Sequence, residues 1–198
     1  MTNSPGRRRC TVIDLETTGL DARSDHIIQI AAVSIDLTDS DGVVTGSLDD
    51  EWSTLVRPSR PWRPIGAREI HGIGRRRLVR GTSLTRALAE LDRRLRGRVA
   101  VAHNLAFDWG FIEQAHQLLR LAAPDPARAC TLNISRSLDP SRQRQHRLAD
   151  LCERYGVVLS NAHDALADAR ATAMVLPALI TEAGGLGALP EERLQVSP

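Results

Sequence analysis

Apolar positions along the chain form short β-branched runs first and helical stripes later. CTVIDLE (10–16) and HIIQIAAVSIDL (26–37) are rich in Val and Ile, and TTGLDARSD between them is too short and too turn-prone for a helix. Two neighbouring antiparallel strands are predicted. A third strand, EWSTLVRP (51–58), follows the turn-rich TDSDGVVTGSLDD and is closed by proline. Beyond the proline-rich RPSRPWRPIG the period changes. In SLTRALAELDRRLRG (83–97), Leu84, Leu88, Leu91 and Leu95 recur at helical spacing and glycine ends the run. RVAVAHN (98–104) predicts a fourth strand, AFDWGFIEQAHQLLRLA (106–122) a helix and ARACTL (127–132) a fifth strand, with further helices near 147–155 and 164–183. A three-stranded meander that gives way to alternating helix and strand specifies an α/β fold with a mixed five-stranded sheet flanked by helices. A single domain over 1–183 is expected, with 184–198 as a flexible, frayed C-terminal tail.

Composition narrows the function classes. With 198 residues and 42% hydrophobic content the chain can bury one core, and no apolar run approaches the roughly 18 residues of a membrane span. The polar start MTNSPGRRR lacks an apolar secretion segment, so no membrane association and a cytoplasmic location are expected. Cys10, Cys130 and Cys152 are odd in number and widely spaced, which predicts neither a disulfide nor a zinc site. All 26 basic residues are arginine and the net charge is only +2, so charge alone does not signal nucleic acid. The local clusters GRRRLVR (74–80), DRRLRGR (92–98) and RQRQHR (142–147) suit phosphate oxygens or simply solvated faces.

The carboxylates are more specific. Asp14 and Glu16 lie two apart at the end of the first strand, so both point to one face. Side by side they resist ionisation unless a cation bridges them, and oxygen donors favour a hard divalent ion, magnesium or manganese. Asp108, in HNLAFDWG, sits just beyond the fourth strand, where the carboxyl ends of strands share a crevice. The last helix brings a fourth acid. Four carboxylates from separate segments suit a cradle for two metals about 3.5 to 4 Å apart.

That fourth acid comes from NAHDALADARAT (161–172). On a helix Asp164 and Asp168 lie about 40° apart, so spacing alone does not choose between them. Asp164 opens the helix, where a carboxylate caps free N–H groups; Asp168, one turn in, is the expected ligand. A metal-activated water needs a proton acceptor, and His163 is the candidate, since free histidine titrates near about 6.5. Inside the helix it would face roughly 140° away from Asp168; as the last residue before the helix it can swing over the metals. His71 in EIHGIG and His103 in AHN lie in turns beside the proposed crevice, with substrate contact and structural hydrogen bonding both open.

DLETTGL (14–20), IHGI (70–73), AHNLAFDWGFI (102–112) and HDALADA (163–169), taken in order, resemble the motifs of the DEDDh exonucleases, the family of the bacterial polymerase III epsilon proofreading subunit. The resemblance covers about residues 11–180. It implies a ribonuclease H-like fold, two magnesium or manganese ions, and release of nucleoside 5′-monophosphates from 3′ ends of single-stranded DNA or RNA. By the same matching Asp14, Glu16 and Asp168 would bind the first metal, Asp14 would reach the second, and Asp108 would act partly through water. His163 would be the general base. Thr17, Thr18 and Leu20 would cradle the terminal nucleotide, with Leu20 and Phe107 against its base and His71, His103 and Asn104 close by.

Two departures shape the expectation. Family members that serve a polymerase carry a long C-terminal docking segment, whereas some fifteen residues follow the last helix here, and the oligoribonuclease branch usually has methionine where this chain has ETTG. A stand-alone exonuclease favouring DNA over RNA is expected, with any polymerase or repair partner unread. With three Trp, one Tyr and two Phe, an extended stacking platform is not expected, so the grip is on a few terminal nucleotides. The alternatives are an RNA-trimming exoribonuclease of the same family, a non-catalytic nucleic-acid-binding module, and a phosphodiesterase for small molecules.

Overall fold

The computed structural model describes residues 6–58, 66, 68–161 and 163–193. Strands β1 (Gly6–Thr17), β2 (Ile27–Ser40) and β3 (Val43–Leu55) form the antiparallel meander. Single-turn helices α1 (Arg68–His71) and α2 (Arg75–Leu78) lead to α3 (Leu84–Leu95), β4 (Val99–Ala102), α4 (Leu105–Leu119) and β5 (Arg128–Cys130). Then come α5 (Thr131–Ser137), α6 (Leu148–Tyr155), α7 (Ala165–Glu182) and a 3-10 turn, Leu186–Ala188. The sheet order is β3-β2-β1-β4-β5, with β4 parallel to both β1 and β5. The mixed five-stranded sheet flanked by helices is the predicted one.

The sheet departs from expectation mainly in reach. Asp41 and Gly42 both adopt left-handed φ, 55° and 83°, and this two-residue turn lets β3 begin at Val43 instead of residue 51. The segment TGSLDDE is polar and exposed, so no alternating pattern marks it. Its edge position explains that: outward carboxylates suit a strand with one unpaired side, and Asp49 and Asp50 pair with Arg98 and Arg94. Helix α5 carries no boundary signal in the sequence, because it follows β5 without a break and without a side-chain cap. The proline-rich connection lies largely in 59–65, outside the described residues.

Two apolar layers sandwich the sheet. Val12, Ala31, Val33, Val99 and Val101 face α7, while Ile13, Leu15, Ile30 and Ala32 face α3 and α4. Along α7 the inward positions Ala165, Ala169 and Ala173 recur every fourth residue and are fully buried. Their size lets the helix lie close to β1, which carries the neighbouring Asp168 toward Asp14 and Glu16.

As far as Arg193, the segment expected as a frayed tail packs on the domain. Leu186 and Leu189 are buried in the α7 layer, the Leu186 N–H donates to Asp39, and Glu192 accepts from the Arg9 N–H at 2.6 Å. Residues 194–198 lie outside the described residues. We expect Leu186→Ala together with Leu189→Ala to cost at least about 2 kcal/mol, a fall of about 4–8 °C in Tm for a chain of this size. Thermal unfolding within 1 °C of the parent would return this segment to the status of a loose tail.

Candidate active site

Strands β1, β4 and β5 run in the same direction, so their carboxyl ends open on one edge, and α7 crosses that edge. There Asp14, Glu16 and Asp168 each offer a carboxylate oxygen, and the three atoms lie within 4.8 Å of one another. The strand alternation that predicts a shared face for Asp14 and Glu16 is the observed one, on the α7 side with Val12. Among the described residues, Asp168 Oδ1 is buried with no hydrogen-bond partner, while its Oδ2 accepts the His163 N–H at 3.1 Å.

Asp108 enters from the opposite layer. The β1–β4 ladder ends at Val12, so the backbone beyond it lacks a strand partner on that side. Asp108 Oδ1 accepts the Leu15 N–H at 3.1 Å, meeting an obligation that the sheet leaves open. The two-residue turn His103–Asn104, with Asn104 at φ 69°, starts α4 directly after β4 and places Asp108 in its first turn.

Four acids in so small a volume oppose ionisation. Burial is the main cause of a raised pKa at each, and for Asp14 it is reinforced by Asp108, Asp168 and Glu16. Burial and then Asp168 push Glu16 up to about 8, burial pushes Asp108 up to about 8, and burial raises Asp168 against the opposing bond from the His163 N–H. An orphaned buried oxygen, hard oxygen donors and uncompensated negative charge together fit a divalent cation. Asp14, Glu16 and Asp168 are the residues that could hold it, with Asp108 behind them.

At the start of α7, Asp164 Oδ1 accepts the Leu166 and Ala167 N–H groups, both at 3.2 Å, so it is the helix cap. His163 precedes the helix with φ 69° and an exposed side chain. It therefore lies outside the helical phase that would turn it from Asp168.

The remaining expected residues line the same edge in different ways. Thr17 Oγ1 donates to the Gly19 carbonyl at 2.6 Å, and Thr18 Oγ1 donates to Asp25 and accepts the His26 N–H, so both hydroxyls brace the turn after β1. Leu20 projects from that turn, 86% exposed, and Phe107 is half-buried with its ring 5.1 Å from Phe111. The Asn104 side chain caps nothing. His103 Nδ1 lies 3.0 Å from Thr131 Oγ1, and burial lowers the pKa of its ring. His71 Nδ1 accepts the Ile73 N–H, so Nε2 carries the proton given to the Gly66 carbonyl. With both nitrogens engaged, His71 holds its turn and presents no free ring nitrogen.

Sequence reading missed Gln29. It is buried opposite Glu16 in β2, and its Nε2 donates to Asp164 Oδ2 at 3.3 Å and to Ser53 Oγ at 3.2 Å. The available signal was a lone amide in the apolar run HIIQIAAV.

Comparison with known proteins shows the family. The RNase_T exonuclease family profile matches residues 11–176. PolC-type DNA polymerase III of Lacticaseibacillus paracasei is 34% identical over 173 residues, covering 87% of this chain and 11% of the polymerase. The Bacillus subtilis protein of the same name is 31% identical over 177 residues, 89% of this chain and 12% of the relative. The chain thus spans about a ninth of the length of these relatives. Among solved structures, E. coli exonuclease I in complex with a dT13 oligonucleotide has a TM-score of 0.73 at 20% identity, covering 88% of this chain and 41% of that one. A 3′-exonuclease that recognises a histone mRNA stem-loop has a TM-score of 0.72 at 15% identity, covering 93% and 84%. These two likenesses concern the fold. With motifs, carboxylate geometry and family profile in agreement, the chain belongs to the RNase_T exonuclease family as a DEDDh-type 3′-5′ exonuclease domain.

Proposed function

We propose that the chain removes nucleoside 5′-monophosphates from 3′ ends of single-stranded nucleic acid, DNA ahead of RNA, with two magnesium or manganese ions held by Asp14, Glu16, Asp108 and Asp168. The observation that carries this reading is the convergence of three carboxylate oxygens within 4.8 Å beside an unpartnered Asp168 oxygen. The preference for DNA is supported by the relatives' being DNA polymerases. Within this reading the protein acts in the cytoplasm.

Bound divalent ions supply charge neutralisation at phosphorus and lower the pKa of the attacking water. The chain's own groups do the rest. His163 takes the proton of that water, whose oxygen bonds to phosphorus as the bond to the 3′ oxygen breaks; the departing oxygen is protonated from solvent. The backbone N–H of His163 meanwhile fixes Asp168, so a single turn positions both base and ligand. Leu20 and Phe107 flank the terminal base, the turn braced by Thr17 and Thr18 surrounds its sugar, and Asn104 and His103 close the far side.

The test uses 5′-labelled single-stranded DNA and RNA of matched sequence. Shortening from the 3′ end with magnesium or manganese, ending on addition of chelator, is the expected result, with faster shortening of DNA. No shortening of either polymer with either ion, with the protein folded, would leave a binding module; cleavage of small phosphoesters alone would leave a phosphodiesterase.

A further inference from the structure

The cluster GRRRLVR finds its place at the outer edge of β3. Thr82 pairs there with the end of that strand, its N–H donating to the Leu55 carbonyl, and a groove of about 800 Å³ opens alongside. Arg76, Arg77, Arg80 and Arg86 line it, and among the described residues no acid does. All four are exposed, and none makes an ion pair among the described residues. That sets them apart from Arg94, Arg98, Arg128 and Arg170, each matched by a carboxylate. Four guanidinium groups without ion pairs among the described residues concentrate positive potential in a concave site, and their forked donors suit phosphate oxygens.

Hydrogen bonds tie the groove wall to the carboxylate edge. Ser53 lines the groove, Gln29 donates to Ser53, and the same amide donates to Asp164 beside the metal-binding residues. In the sheet Glu16 pairs with Gln29 and Gln29 with Leu55, so the near wall stands two strand spacings, about 10 Å, from the candidate centre. We propose that this arginine groove holds the phosphate backbone of the substrate strand on the 5′ side of the nucleotide being removed. The inference rests on the exonuclease reading and adds to it a dependence on substrate length: the centre grips the end, and the groove grips the strand behind it.

The experiment compares Arg76→Gln/Arg77→Gln, Arg80→Gln/Arg86→Gln and the quadruple variant with the parent and with a control, Arg96→Gln/Arg120→Gln, which removes equal charge from exposed positions elsewhere. Binding of a labelled 20-nucleotide oligothymidylate is followed by fluorescence anisotropy against salt, and cleavage of that oligomer is compared with cleavage of a dinucleotide. The doubles are expected to weaken oligomer binding at least tenfold and to flatten the slope of log K on log salt by about 0.7 for each phosphate no longer neutralised, about 3 for the quadruple. Dinucleotide cleavage stays at the parent rate. Unchanged oligomer affinity, an equal loss in the control, or an equal loss on the dinucleotide overturns the groove. Should the quadruple fail to fold, the doubles carry the comparison. Absence of all cleavage with groove-dependent binding intact would defeat the exonuclease reading alone.

Discussion

Replacing Asp14 or Asp168 by asparagine is expected to lower exonuclease turnover about a thousandfold or more while raising the Tm of the metal-free protein by a few degrees. The first effect follows from losing a charged ligand: metal stabilisation of the transition state is worth several kcal/mol, at tenfold per 1.4 kcal/mol. The second follows from burial and repulsion, which penalise the charged forms of these acids. Because folded-state pKa values here lie above unfolded ones, the protonated fold is favoured at low pH, and stability declines as pH rises from the unfolded carboxylate range of about 4 through about 8. One neutralised acid should flatten that decline, worth about 2–4 °C per kcal/mol. Added magnesium or manganese should reverse the order, stabilising the parent more than the variants. Thermal scans in chelator and in metal, beside turnover, check both halves; parent-like turnover in either variant would remove the residue from the ligand set.

His163→Asn is expected to reduce kcat by about 10² to 10⁴ while leaving the metal-induced Tm shift in place. The bond to Asp168 comes from the backbone N–H, so it survives loss of the ring. Asparagine is the clean substitution because it tolerates the positive φ of 69°, where alanine would add strain. Single-turnover cleavage isolates the chemical step. A loss below tenfold would take the proton-accepting role away from His163, and a vanished metal shift would make it a structural residue.

How far the sequence discloses the molecule depends on where the physics is local. Strand alternation alone places Asp14 and Glu16 on one face, and helix geometry with capping separates Asp164 from Asp168. The sheet's central strands are legible because Val and Ile mark them. The first half of β3 is not, since its partners are backbone groups of β2 and arginines distant in sequence. Nor does spacing disclose that both nitrogens of His71 serve its own turn, or that Gln29 ties Asp164 to Ser53. Leu186 and Leu189 escape notice because two leucines among glycines carry no period; only the groove between α7 and β1 gives them a destination. The arginine run is visible as composition, and its meaning depends on which carboxylates fold up beside it.

The alanines at 165, 169 and 173 bear on the shape of the carboxylate ring. They set how far α7 stands from the sheet, and Asp168 rides on that helix while Asp14 and Glu16 ride on the sheet. The aperture of the carboxylate ring is therefore a calliper adjusted from within the core, one methyl group at a time. Bulkier residues at these three positions are expected to widen that ring and so to change which divalent cation it holds most tightly.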